Sequence, residues 1–167
     1  MLTISEIPQP VIAEVNGLAT AAGCQLVATC DLAFASSEAS FGVNGVNIGL
    51  FCSTPMVALS RNIGRKKTFE MLITGDYISA ETARSYGLVN SVIHSQKLHE
   101  ETLQSATKIS KKLSSAVKIG KKAFYKQLEL SIENAYNYTA EVMTENMLLK
   151  DTKEGIDAFI EKRTPNW

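Results

Sequence analysis

Cysteine is scarce in this chain of 167 residues: Cys24, Cys30 and Cys52 are the only three. They form no C-x-x-C pair, and an odd number leaves no closed disulfide framework. All three lie in apolar segments, which reads as small buried hydrophobes in a reducing compartment. Histidine is scarcer still. His94 and His99 sit among polar neighbours, and no His/Cys/carboxylate cluster has ligand spacing, so no metal site is expected. Neither sign of charge is in excess, with 17 basic and 17 acidic residues. That argues against nucleic acid as a partner, which calls for a basic face. No apolar run approaches the roughly 20 residues of a membrane span. The opening decapeptide MLTISEIPQP is neither a secretory signal nor an Arg-rich transit peptide. It runs into a strand with no leading element, which suggests a chain that begins inside a larger domain, either a fragment or a truncated isoform.

What is present is an ordinary globular composition, 45% hydrophobic and 20% charged. The run PVIAEVNG (10–17) is β-branched at Val11, Ile12 and Val15 and bounded by Pro10 and Asn16-Gly17, so it reads as a buried strand. AAGCQLVATC (21–30) has helical character until Asp31, and LAFAS (32–36) reads as a second strand. Strand, turn, short helix and strand make a βαβ unit with a right-handed parallel crossover. Gly42, Gly45 and Gly49 then predict irregular backbone rather than helix over 40–53. Thr54 and Pro55 predict an N-cap and first-turn proline. The segment 65–74 is amphipathic and stopped by Gly75. Ser79 should cap a helix over AETARSY, with Glu81 in its first turn and Gly87 at its left-handed end. A short strand is expected over 88–93.

From Leu98 onward, apolar residues recur at three- and four-residue steps, predicting a helical region. The last helix is expected to open on a capping box from Asp151 to Glu154 and to close at Pro165. The division expected is a partial α/β core over 1–97 and a helical region over 98–167.

The stretch NGLATAAGCQ (16–25) is open to two readings. Small residues at 21–23 allow close helix–strand packing. They also allow a backbone N–H to approach a ligand at a helix N-terminus, where negative charge is favoured. Gln25 is a hydrogen-bonding helix residue or a site residue. By residue type, Asn44, Asn47 and Ser53 read as turn and cap residues. By themselves, Phe159 and Lys162 read as a core aromatic and a surface lysine.

The run PVIAEVNGLATAAGCQLVATCDLAFAS, with FEMLITGDYISAETARSYGLVNSVI and EGIDAFIEKRTPNW, resembles the crotonase (enoyl-CoA hydratase/isomerase) superfamily. The similarity extends from about residue 10 to Trp167. It implies an α/β spiral of ββα units, here partial, with a helical C-terminal trimerisation region. It implies an acyl-CoA thioester ligand with coenzyme A as part of the substrate, no separate cofactor, a homo-oligomer (trimer or hexamer), and mitochondrial fatty-acid metabolism. By position in the motif, the Ala22 N–H is one of two oxyanion donors, and its partner donor lies in an upstream strand–loop that the sequence lacks. Gly23 and Asn44 would line the substrate pocket. Phe159 and Lys162 would reach the CoA adenine of a neighbouring subunit.

The same positions show two departures. The family's hydratases use two glutamates, and this chain has Gln25 and Gly45 there. Glutamine cannot serve as a proton-accepting base, and glycine has no side chain. Ser53 falls where some family isomerases carry an aspartate. Hydration is therefore doubtful, and whether the chain is an enzyme is left open by sequence. The alternatives are a non-catalytic acyl-CoA-binding or regulatory protein, and a truncated isoform serving as an oligomer subunit.

Overall fold

The run after Pro10 does not make one strand. At Asn16-Gly17 it breaks into β1 (Ile12–Val15) and β2 (Leu18–Thr20), which enter different sheets. The computed structural model describes residues 1–167. They divide into two units, Met1–Ile4 with Pro10–Thr107, and Ser5–Gln9 with Lys108–Trp167.

In the first unit, β1 pairs in parallel with β3 (Leu32–Ser36), Ile12 opposite Leu32. β3 pairs in parallel with β6 (Ser91–Ile93). The connection from β1 to β3 runs through α2 (Ala22–Thr29), which is the expected βαβ crossover. Two side chains extend the ladders past the strand ends. Asp31 Oδ2 accepts the Val11 N–H at 2.6 Å while the Asp31 N–H donates to the Val11 carbonyl. Asn90 treats Ala33 in the same way, accepting its N–H at 2.8 Å. The second sheet joins β2 in parallel to β4 (Ser40–Gly42), with Thr20 opposite Gly42. β4 is then antiparallel to β5 (Ile78–Ser79). The segment expected to be irregular with brief extended pieces and no helix contains the extended β4, and a 3-10 helix at Asn44–Ile48 follows it.

Helices α3 (Ser53–Asn62), α4 (Arg65–Thr74) and α5 (Ala80–Tyr86) complete the unit. Its core contains Cys24, Ala35, Phe41, Val43, Leu59, Leu72 and Ala83, all essentially without solvent contact. Each buried Leu or Phe contributes about 1.5–3 kcal/mol relative to exposure. The helix ends follow residue chemistry. Gly75 (φ 68°) and Gly87 (φ 85°) close α4 and α5 in the left-handed region, and Ser79 Oγ accepts the Thr82 N–H. The start of α3 differs from expectation. Cys52 stands at the cap without a side-chain bond, and Thr54 and Pro55 lie inside the first turn. A five-residue helix, α1 (Leu2–Glu6), also precedes β1 where no element was expected.

α6 (Leu98–Ser110) crosses the boundary between the units. The second unit contains α7 (Ser114–Gln127), α8 (Ile132–Met147) and α9 (Lys150–Ile160). Lys121 is buried there, its Nζ donating to the Gln9 carbonyl at 2.9 Å. The expected capping box at Asp151–Glu154 does not form. α9 opens two residues earlier, with Leu149 at the cap and Thr152 Oγ1 donating to the Asn146 carbonyl. Glu154 instead accepts from both Nη atoms of Arg163 and from the Asn166 N–H. The helix ends at Ile160, where Lys162 turns left-handed (φ 55°), short of Pro165.

Candidate functional site

The β2–α2 turn is built on an unusual backbone. Ala21 adopts φ 46°, ψ −112°, a region that an L-side chain normally avoids at a cost of about 1–3 kcal/mol. Its N–H donates to the Gly42 carbonyl at 2.9 Å, and its carbonyl accepts the Gln25 N–H at 3.0 Å. Ala22 is thereby the first residue of α2, and an N–H at that position has no acceptor within its helix. Ala22 is exposed, and a Cβ built on Gly23 would meet nothing within 4 Å. Close helix–strand packing is therefore not what the small residue at 23 serves. The helix N-terminus adds favourable potential for negative charge on an approaching atom.

Gln25 is half-buried on the next turn of α2, and its carbonyl accepts from Thr29 Oγ1 at 2.7 Å. The loop around Gly45 is closed. A Cβ at Gly45 would lie 2.8 Å from the Leu50 carbonyl oxygen and 2.9 Å from Cys52 Sγ. The Leu50 N–H donates back to the Gly45 carbonyl at 2.9 Å, which holds that geometry. A glutamate side chain cannot enter here unless backbone moves. Ser53 is exposed, and its Oγ leans on the Phe51 carbonyl at 3.3 Å.

Asn44 is engaged on both ends of its amide. Its Oδ1 accepts from Thr20 Oγ1 at 2.8 Å, and its Nδ2 donates to the Tyr77 hydroxyl at 3.0 Å. The Tyr77 and Thr20 oxygens lie 3.4 Å apart, closing a three-membered ring of polar groups. Asn47 fills the space over Gly75, with Nδ2 donating to the Gly75 carbonyl at 3.3 Å. Sequence reasoning named Asn44 but missed Thr20 and Tyr77. They lie 24 and 33 residues from Asn44, and only the β2–β4–β5 pairing brings them together.

Cys24 is sealed in the core, and burial pushes its thiol up to about 12, with a Gly42 backbone hydrogen bond opposing the shift and nearby Cys52 adding to it. It stays a thiol at ordinary pH and is no nucleophile. A groove of about 1010 Å³ runs along α3 and α4, lined by Met56, Val57, Arg61, Phe69 and Ile73 among others. None of the site residues expected from sequence lines it. Phe159 and Lys162 belong to the second unit, where Phe159 is 84% exposed and so is not a core aromatic. No helix is long and apolar enough to cross a membrane.

The β2–α2 turn, the 44–52 loop and the α4–β5 turn are features that can be set beside known proteins. A family model described as enoyl-CoA hydratase/isomerase matches residues 1–167. "Enoyl-CoA hydratase domain-containing protein 3, mitochondrial" from Xenopus laevis is 53% identical over the whole chain, which covers 57% of that protein. The human protein of the same name is 52% identical, with 55% of it covered. The chain thus spans a little over half the length of these curated relatives. Among solved structures, an enoyl-CoA hydratase from Mycobacterium smegmatis superposes with a TM-score of 0.98 at 53% identity, covering 99% of this chain and 65% of that one. The human domain-containing protein 3 gives 0.97 at 52% identity, covering 99% and 66%. The crotonase-type α/β fold expected from sequence is the fold found. With the whole of its length matched, the chain belongs to the enoyl-CoA hydratase/isomerase family.

Proposed function

We propose that this chain binds acyl-CoA thioesters at the β2–α2 turn and does not hydrate them by the two-glutamate route. The observation that carries the reading is the Ala22 N–H, placed at the head of α2 by a strained Ala21 and left without a helical acceptor. Backbone strain of this kind persists where the surroundings over-determine it, and such positions cluster at functional sites. An N–H aimed at a thioester oxygen stabilises the charge that develops there when a proton leaves or a nucleophile adds. Gly23 leaves room for the thioester beside the turn. Asn44 reaches such a ligand only with the hydrogen that its contacts to Thr20 and Tyr77 leave over.

The filled space at Gly45 favours the non-hydrating form of the reading, an acyl-CoA binder or a protein running a different thioester reaction. Gln25 then serves as a neutral hydrogen-bonding group beside the ligand, and Ser53 as a polar group at its edge. Phe159 and Lys162 are assigned to the adenine end of CoA bound to a neighbouring copy, which makes the assembly a homo-oligomer, trimer or hexamer. A mitochondrial setting is what its relatives' names support, and fatty-acid metabolism is the role we assign to it there.

The test compares the affinity for crotonyl-CoA with that for free CoA by calorimetry, in the unaltered protein and in Ala22→Pro. Proline is accepted at the first helical position but removes the N–H. The unaltered protein should prefer the thioester, and Ala22→Pro should lose about tenfold of that preference while holding CoA. If a thioester is turned over, the same variant should lower its rate by a factor of about 10²–10³. Equal thioester preference in both proteins would overturn the site, and rapid crotonyl-CoA hydration would overturn the non-hydrating reading.

A further inference from the structure

The strained Ala21 needs an external cause, because nothing in its own chemistry favours φ 46°. Two backbone bonds act on it directly, to Gly42 and from Gln25. They fix its N–H and carbonyl but leave the preceding residue free to rotate the turn. Thr20 is that residue. Its backbone lies in β2 opposite Gly42, and its hydroxyl is tied across the sheet to Asn44 and Tyr77.

Proton accounting closes the ring. Thr20 Oγ1 donates to Asn44 Oδ1, and Asn44 Nδ2 donates to the Tyr77 oxygen. The Tyr77 hydroxyl keeps its own proton for Thr20 Oγ1, 3.4 Å away. Each group both gives and receives, so the three polarise one another. The tyrosine ring adds a steric part. A Cβ on Gly42 would lie 2.6 Å from Tyr77 Cδ1, so the ring occupies the place of a side chain at 42. Gly42 is also the residue whose carbonyl receives the Ala21 N–H. One side chain thus bears on Gly42, which anchors the Ala21 N–H, and on Thr20, which precedes it.

We propose that Tyr77 is a positioning residue: through Asn44 and Thr20, and by lying over Gly42, it holds Ala21 left-handed and so sets the aim of the Ala22 N–H. This rests on the thioester reading for its purpose, though not for its geometry. Tyr77 touches no reacting atom in this account. It fixes a peptide that does.

The test uses Tyr77→Phe, which keeps the ring and removes the hydroxyl, with Thr20→Val as an isostere and Thr20→Ser as a rescue. Hydrogen–deuterium exchange across 20–25 should speed up about tenfold in Tyr77→Phe and Thr20→Val, with exchange across 26–30 unchanged. The preference for crotonyl-CoA over CoA should fall about fivefold in the same two variants and return in Thr20→Ser. A general loss of packing would move both exchange windows and would not be rescued by serine. Unchanged exchange across 20–25 in Tyr77→Phe and Thr20→Val overturns the proposal. So does faster exchange with an undiminished thioester preference, because Ala22 then keeps its aim without the triad. Should the unaltered protein show no preference for thioester, the thioester reading fails. The exchange data then decide alone whether Tyr77 holds the turn.

Discussion

The two units hold themselves together by different means. In the first, strands and short helices close on a dry core of Cys24, Phe41, Val43, Leu59 and Leu72, and glycines at 42, 45 and 75 sit where neighbours leave no room for a Cβ. In the second, only Lys121, Ala123 and Ala158 are fully buried, while Phe124, Leu128, Ile132, Tyr136, Met143, Leu148 and Ile160 stand in solvent. Its C-terminus is fastened by charge, Glu154 to Arg163 and to the Asn166 N–H. A tightly packed region resists change at any interior position. Exposed apolar side chains, where they form one contiguous face, are how association surfaces are recognised.

The largest expected effect comes from forcing the packed unit. Gly45→Glu, alone or with Gln25→Glu, should cost about 3 kcal/mol or more, because the new Cβ meets a backbone carbonyl. At about 2–4 °C per kcal/mol for a chain of this size, the melting midpoint should fall visibly. Crotonyl-CoA hydration should not appear. A stable double variant with high hydratase activity would break the contrast. Next comes the apolar face. Ile132→Glu with Leu148→Glu should change the stability of the folded chain by no more than about 0.5 kcal/mol per site, since both side chains are exposed. The same pair should weaken self-association at least tenfold by sedimentation. Unaltered self-association would remove the reason for that surface.

The smallest effect separates the units by pH. Hydrogen bonds from Arg163, then the Asn166 N–H, hold the Glu154 carboxyl down at about 2. A carboxyl lower in the folded state than its ordinary 4.5 stabilises above 4.5 and loses that contribution as pH falls toward 2. Trp167, whose ring lies 3.1 Å from the position of a Cβ on Gly155, reports the fastening. Its fluorescence should shift between pH 4.5 and 2, and Arg163→Ala should abolish that shift while leaving the first unit's melting unchanged. A shift that persists in Arg163→Ala would assign it elsewhere.

Features written in single residues were legible from sequence. Ser79 as a cap, Gly75 and Gly87 as helix ends, and Asp31 as the break before β3 follow from local chemistry and reappear in the fold. The parallel βαβ unit followed from periodicity and chain connection. β2 was missed because three residues carry no period, and its partner β4 lies beyond α2 and β3. The capping box failed because α9 begins at Lys150, which puts Asp151 inside its first turn, and Glu154 is taken by Arg163 and the Asn166 N–H. At the candidate site, the residue types at 22, 25 and 45 were readable by position. Three things were not. Alanine gives no sign of a positive φ, glycine gives no sign of whether its space is empty or filled, and Tyr77 gives no sign of a partner in Thr20.

The closure of the loop over Gly45 also limits what that position can be changed to. Counted in letters, two substitutions separate this chain from one with glutamates at 25 and 45. Counted in atoms, the Leu50 carbonyl and the Cys52 sulfur have taken the ground on which one carboxylate would stand. An acid introduced at 45 would meet a folding defect before it met any benefit. The loop, more than the letter at 45, decides what that position can hold.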